Sequence, residues 1–123
     1  MLPIVKLNEI NSYDFVGDGW YRIGKEYWGV ARLIQSVKDE PVFDLPLCAI
    51  PIDKMGWDMQ RPLDFIFHMQ RVLSADVNIP IILDWNGCIA DGFHRVVKAI
   101  YLGKTSIPAK RIQKYLEPCE TKR

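Results

Sequence analysis

Five consecutive residues, Asp91-Gly92-Phe93-His94-Arg95, hold the side chains best suited to chemistry in this sequence. They stand where an apolar stretch gives way to a predicted helix. The backbone N–H groups of a first helical turn lack partners within the helix and carry the positive end of its dipole, so that turn favours an anion. Gly92, Phe93 and His94 would present those N–H groups. Arg95 would add a planar, permanently charged fork for phosphate oxygens, and Lys98, three residues on, a second cation on the same side. His94 would act as hydrogen-bond donor or general acid near neutral pH, and Asp91 would orient His94 or Arg95 or help hold Mg²⁺. A purely structural reading fits the same residues. In it Asp91 caps the helix and pairs with Arg95 at i, i+4, His94 is half-buried and Lys98 is solvated.

A second pair lies upstream. His68 and Arg71 are three apart on a predicted helix and so share one of its edges. They read either as a solvated surface pair or as a contribution to the pocket at Asp91–Arg95. A nucleophile-activating group is not singled out by any motif, and Asp58, His68 and Asp76 are the candidates. Asp76 reads most simply as a loop or C-cap residue.

The elements that must position these groups follow from pattern. Pro80 to Leu83 is an apolar run, Asp84-Trp85-Asn86-Gly87 has turn composition, and Cys88-Ile89-Ala90 is apolar again, which predicts two short strands joined by a tight turn. A helix then runs from Asp91, its predicted N-cap, with Val96, Val97, Ala99, Ile100 and Leu102 as a buried stripe and Gly103 as its stop. Thr105 to Ile112 alternates as a closing strand. Earlier, Glu26 to Lys38 has helical spacing at Trp28, Ala31, Leu33, Ile34 and Val37. Val42 to Ile52 reads as a proline-limited strand near a sheet edge. Pro62 opens a helix to about Ala75 whose apolar face is Leu63, Ile66, Phe67, Val72 and Leu73. Met1 to Asn11 alternates imperfectly as an edge strand. The glycine-punctuated loop after it carries Tyr13, Phe15, Trp20 and Tyr21, either to plug the core or to stack on a base. The tail from Gln113 is expected to fray. Together these elements predict one α+β domain, a small mixed sheet flanked by about three helices.

Pro80-Ile81-Ile82-Leu83, Gly87, Ile89 to Arg95, Lys98-Ala99, Gly103 and Ile107-Pro108-Ala109 resemble, in order and spacing, the central motif of the ParB/sulfiredoxin-fold superfamily. More loosely, Asp44 to Ile112 is similar to small single-domain ParB-like nuclease proteins, with His68, Arg71, Ala75-Asp76 and Pro80 at the matching steps. The resemblance implies a phosphate pocket at the Asp-Gly-x-His-Arg turn, with ATP or CTP and Mg²⁺ as the ligands to expect. ParB proteins bind and hydrolyse CTP there, sulfiredoxin uses ATP to repair an overoxidised cysteine, and a free serine kinase uses nucleotide to phosphorylate serine. Two departures narrow this. Phe93 stands where sulfiredoxin has its reactive cysteine, which argues against that repair chemistry. The chain also stops about ten residues after the last predicted strand, without the helix-turn-helix and dimerisation segment of a partition clamp.

Composition sets the outer limits. The chain of 123 residues is 49% hydrophobic, enough for a single core. Sixteen basic and fifteen acidic residues leave a net charge of +1, so no global field draws it to nucleic acid or membrane. Weak or no binding to duplex DNA is expected, through a local surface such as Lys104, Lys110, Arg111 and Lys114. No run approaches the roughly 20 apolar residues of a membrane span, and Met1 to Lys6 lacks a signal-peptide layout, which predicts a soluble, cytoplasmic protein. Cys48, Cys88 and Cys119 have no metal-type spacing and suit a reducing compartment as buried or idle thiols, and a zinc or other protein-held metal site is not expected. The expected function is therefore binding of a nucleotide or phosphorylated small molecule, with hydrolysis or transfer of phosphate as an NTPase, small-molecule kinase or nuclease. The alternative is a non-catalytic nucleotide-sensing, nucleic-acid-binding or protein-interaction module.

Overall fold

A turn-forming tetrapeptide sets the centre of the molecule. In the computed structural model, which describes residues 19–52 and 60–121, strands β4 (Ile81–Leu83) and β5 (Ile89–Asp91) pair antiparallel around Asp84-Trp85-Asn86-Gly87. The Gly87 N–H donates to the Asp84 carbonyl at 3.0 Å, and Gly87 takes the positive φ of 83° that closes the turn. Asp84 is 1% exposed, yet its carboxylate is satisfied: Oδ1 accepts from the N–H groups of Asn86 and Cys88, and Oδ2 from the Tyr21 hydroxyl at 2.7 Å. Burial and the Asp84 carboxylate push the Tyr21 phenol well above its ordinary pKa.

Helix α3 (Phe93–Tyr101) follows β5 and ends in a left-handed Gly103 turn, with the N–H groups of Gly103 and Lys104 bonded back to Ile100 and Ala99. Strand β6 (Ser106–Arg111) returns parallel to β4, and β3 (Phe43–Pro46) lies antiparallel on the far side of β6. The sheet order is β3-β6-β4-β5, so the proline-bearing β3 is an edge strand, as its composition predicted. A 3₁₀ turn, Leu47–Ala49, follows it. Helix α2 (Pro62–Ser74) starts at Pro62, with Arg61 and Asp64 exchanging bonds across its first turn: the Arg61 N–H and guanidinium both donate to the Asp64 carboxylate.

The mixed sheet is covered on both faces. Leu47, Ile81, Leu83, Ile89, Val96, Ala99, Ile107 and Ala109 join in one core cluster beneath α3, whereas Ile82 and Ala90 turn the other way into a second with Trp28, Leu33, Val37 and Ile112. The architecture is α+β, with two small sheets and three helices among the described residues.

Three expectations are corrected. Glu26 does not open a helix: β1 (Trp20–Ile23) and β2 (Glu26–Gly29) form a hairpin around Gly24-Lys25, and only Val30–Ser36 is helical (α1). Tyr21 and Trp28 face each other across that hairpin and point into the second cluster, so sheet pairing outweighs the helical spacing of Trp28. The tail is docked rather than frayed. The Trp28 indole donates to the Leu116 carbonyl at 2.8 Å, Arg32 donates to the Glu117 carbonyl, and β7 (Glu120–Thr121) pairs with β2. The apolar stripes of the helices are also narrower than predicted. Val72 is the buried apolar residue of α2 and Val96 and Ala99 those of α3, while Leu73, at 63% exposed, Leu63, Ile66, Ile100 and Leu102 face outward. The edge strand expected at Met1 to Asn11, the aromatics Tyr13 and Phe15, the turn at Asp53 to Gly56 and the candidate Asp58 lie outside the described residues.

Candidate functional site

A cleft of about 740 Å³ opens between the β1–β2 hairpin and the mixed sheet, and one of its ends is built by the residues singled out from sequence. Helix α2 brings His68 and Arg71 to it, and the β5–α3 junction brings Asp91, Gly92, Phe93 and His94. The decisive contact joins the two helices: His68 Nδ1 lies 2.9 Å from His94 Nε2, with the rings stacked 21° from parallel. On that axis one nitrogen donates and the other accepts, so one proton lies between the two rings.

Electrostatics define what this pair can do. Burial, then the positive charges of Arg71, His68 and Arg95, lowers the His94 pKa from 6.5 to about 3. A ring held neutral at pH 7 carries no imidazolium proton to deliver, so of the two roles expected of His94 the shift leaves that of hydrogen-bond donor through its N–H. The same shift ties stability to pH. The unfolded His94 takes up its proton near pH 6.5 and the folded one only near pH 3, so its contribution is fully present above about 6.5 and fades as pH falls towards 3. Thermal melting at pH 7.5 and 5.5, above the range where ordinary carboxylates titrate, should show a loss of stability at the lower pH that is smaller in His94→Gln. An unchanged loss in that variant would mean His94 is not the group responsible.

The residues expected to grip phosphate have other occupations. The Arg95 guanidinium donates to the carbonyls of Ile79 at 3.0 Å and Pro80 at 2.6 Å and to Asp91 Oδ2 at 2.6 Å, and Arg95 is not part of the cleft lining. It clasps the entry to β4 against the exit of β5. Lys98 Nζ donates to the Leu73 and Ala75 carbonyls at 2.9 and 2.6 Å, capping the C-terminus of α2 with a charge of the right sign. Tertiary contacts thus supply both cations with carbonyl acceptors. The predicted helix N-cap at Asp91 is corrected. Asp91 is the last residue of β5, its carboxylate serves Arg95, and Gly92 with φ +112° is the N-cap, so no side chain caps the helix. Asp76 accepts from the Asn78 N–H in its own turn.

Asp91 fits the Mg²⁺ role poorly, since one oxygen is spent on Arg95, and no group of three His, Cys, Asp or Glu with metal-ligand geometry occurs among the described residues. Cys48, Cys88 and Cys119 are exposed rather than buried, and none is in a disulfide. No helix among the described residues is long and apolar enough to cross a membrane.

Sequence reading placed the far wall, Gly19 to Arg22, in a glycine-punctuated loop whose aromatics either plug the core or stack on a base, and did not foresee it as a strand. The alternation Trp20, Tyr21, Arg22 was the available signal for a strand. Comparison with protein-family models, curated proteins and solved structures finds no match to this chain.

Proposed function

We propose that this chain binds a nucleotide or another phosphoester at the α2–α3 end of the cleft, in the manner its resemblance to the ParB/sulfiredoxin-fold superfamily implies. In this reading the anion rests on the uncapped first turn of α3, at Gly92, Phe93 and His94, beside the Arg71 guanidinium. The observation that carries the reading is the His68–His94 bond, which seats two imidazoles in the same end of the cleft as that guanidinium. A ring nitrogen of the pair would hydrogen-bond an attacking water or hydroxyl and orient it, the positioning that a hydrolase or phosphotransferase needs. Arg95 and Lys98 hold the scaffold instead of the ligand. The unpaired cysteines suit the reducing cytoplasm as its place of work.

Thermal melting with CTP, ATP and GTP, with and without Mg²⁺, tests the reading directly. A nucleotide at a hundred times its dissociation constant adds about 2.7 kcal/mol and raises the midpoint by several degrees. Arg71→Met should abolish the shift. His94→Gln should keep it and reduce phosphate release in product analysis. No shift with any nucleotide would sink the reading, and equal loss of binding and turnover in both variants would reject the division of roles.

A further inference from the structure

Beyond Ile112 the chain runs along β2 of the smaller sheet and meets each residue of that strand. The Tyr115 hydroxyl donates to Glu26 Oε2 at 2.8 Å, and its ring stands edge-on to those of Trp85 and Trp28, with centroids 5.0 and 6.4 Å away. The Trp28 indole donates to the Leu116 carbonyl at 2.8 Å, the Cys119 N–H to the Tyr27 carbonyl at 2.8 Å, and the Gly29 N–H to Cys119 Sγ at 3.5 Å. Glu120 and Thr121 then pair with Tyr27 and Glu26 as β7, while Arg32 of α1 donates to the Glu117 carbonyl. Through β2 these contacts reach the cleft, because β2 pairs along its whole length with β1, whose residues Trp20 to Arg22 line it.

From these contacts we infer that Tyr115 to Thr121 is a releasable strap: it leaves β2 and α1 as one unit while the mixed sheet stays folded, and the hairpin wall of the cleft loosens when it goes. Burial sets its boundary. Ile112 is 5% exposed and its N–H donates to the Leu83 carbonyl, so the chain up to that residue belongs to the mixed sheet. Gln113 and Lys114 are exposed and form the hinge. Beyond them Tyr115, Glu117, Cys119, Glu120 and Thr121 are exposed, and the apolar anchor Leu116 is half-buried against the second core cluster. A segment held by hydrogen bonds at the surface and a half-buried anchor opens at a fraction of the free energy of global unfolding. What it covers is of the opposite kind: Trp28 is wholly buried, and release hands its indole N–H to water. Strap and cleft are thereby linked, since a ligand that steadies the hairpin holds the strap down and a docked strap steadies the hairpin for the ligand. The inference rests on the contacts of the strap and not on the phosphoester reading.

Native-state hydrogen exchange of the full chain at low denaturant tests the proposal. The Cys119 amide should exchange through an opening that leaves Ile81–Leu83 and Ser106–Arg111 protected. Leu116→Ser should speed exchange at Cys119 and in Trp20–Ile23 by the same factor, about tenfold or more, because any opening that includes release of the strap no longer has that anchor to break. The mixed sheet should keep its margin of protection over both. Arg32→Gln, at an exposed helix position, should act on the same two places by about two- to tenfold through the lost bond to Glu117. Exchange of Cys119 only together with the mixed sheet, acceleration at Cys119 that leaves Trp20–Ile23 unchanged in both variants, or loss of the mixed sheet in Leu116→Ser would overturn the proposal.

Discussion

Gly92→Ala is expected to cost about 3–5 kcal/mol of stability and to lower the melting midpoint by roughly 10 °C or more. Two independent causes add. The residue sits at φ +112°, a conformation that side chains other than hydrogen rarely adopt. A methyl group there would also come within 2.5 Å of Ile81 Cγ2 and 2.8 Å of Ile81 Cβ, and Ile81 is wholly buried in β4. The obstacle is a rigid branched side chain in a packed sheet, so it cannot swing aside. Ile81→Ala removes the nearer carbon and leaves the farther, and should therefore be less damaging in the Gly92→Ala background than in the wild type. Denaturant melts of the four proteins measure that coupling. Equal costs in the two backgrounds would show that Ile81 is not the obstacle.

Arg95→Met should cost about 2–4 kcal/mol, the lower part of the range for breaking a buried ion pair, because the partners retain 15% and 25% of their side-chain exposure. The substitution leaves the Asp91 carboxylate and the carbonyls of Ile79 and Pro80 without their donor. Arg95→Lys should recover little of the loss, since a single ammonium cannot match the planar fork that meets the three acceptors. At temperatures where the variant remains folded, its midpoint shift with nucleotide should equal that of the wild type, whereas Arg71→Met should lose it. A stable Arg95→Met protein that no longer responds to nucleotide would return Arg95 to the phosphate site and overturn the assignment made from its contacts.

These two positions show what can be read without coordinates. The sequence spacing already offered Asp91 as the i, i+4 partner of Arg95, although Asp91 stands at the end of β5 and not on the helix. That the guanidinium also grips Ile79 and Pro80 does not follow from spacing, because those carbonyls arrive from β4, whose path is set by its pairing with β5 and β6. Lys98 is the same case: its carbonyl acceptors belong to the end of α2, and only the crossing of α2 over α3 brings them within reach. The β1–β2 hairpin escaped notice because Gly24-Lys25 is a weaker turn signal than Asn86-Gly87, and because Trp28 also satisfies a helical pattern with Leu33 and Val37. The tail was misjudged for want of partners that lie about 90 residues upstream, as the Trp28–Leu116 separation of 88 and the Arg32–Glu117 separation of 85 show.

By itself the sequence determined what short-range physics controls: the turn at Asp84–Gly87, the helix that opens near Asp91-Gly92 and stops at Gly103, the proline-bearing edge strand, and the shared edge of His68 and Arg71. Only the tertiary structure decided which cations line the cleft and which join the ends of neighbouring elements. A side chain's chemistry belongs to the residue, but its partner is chosen by whichever distant segment the fold sets beside it.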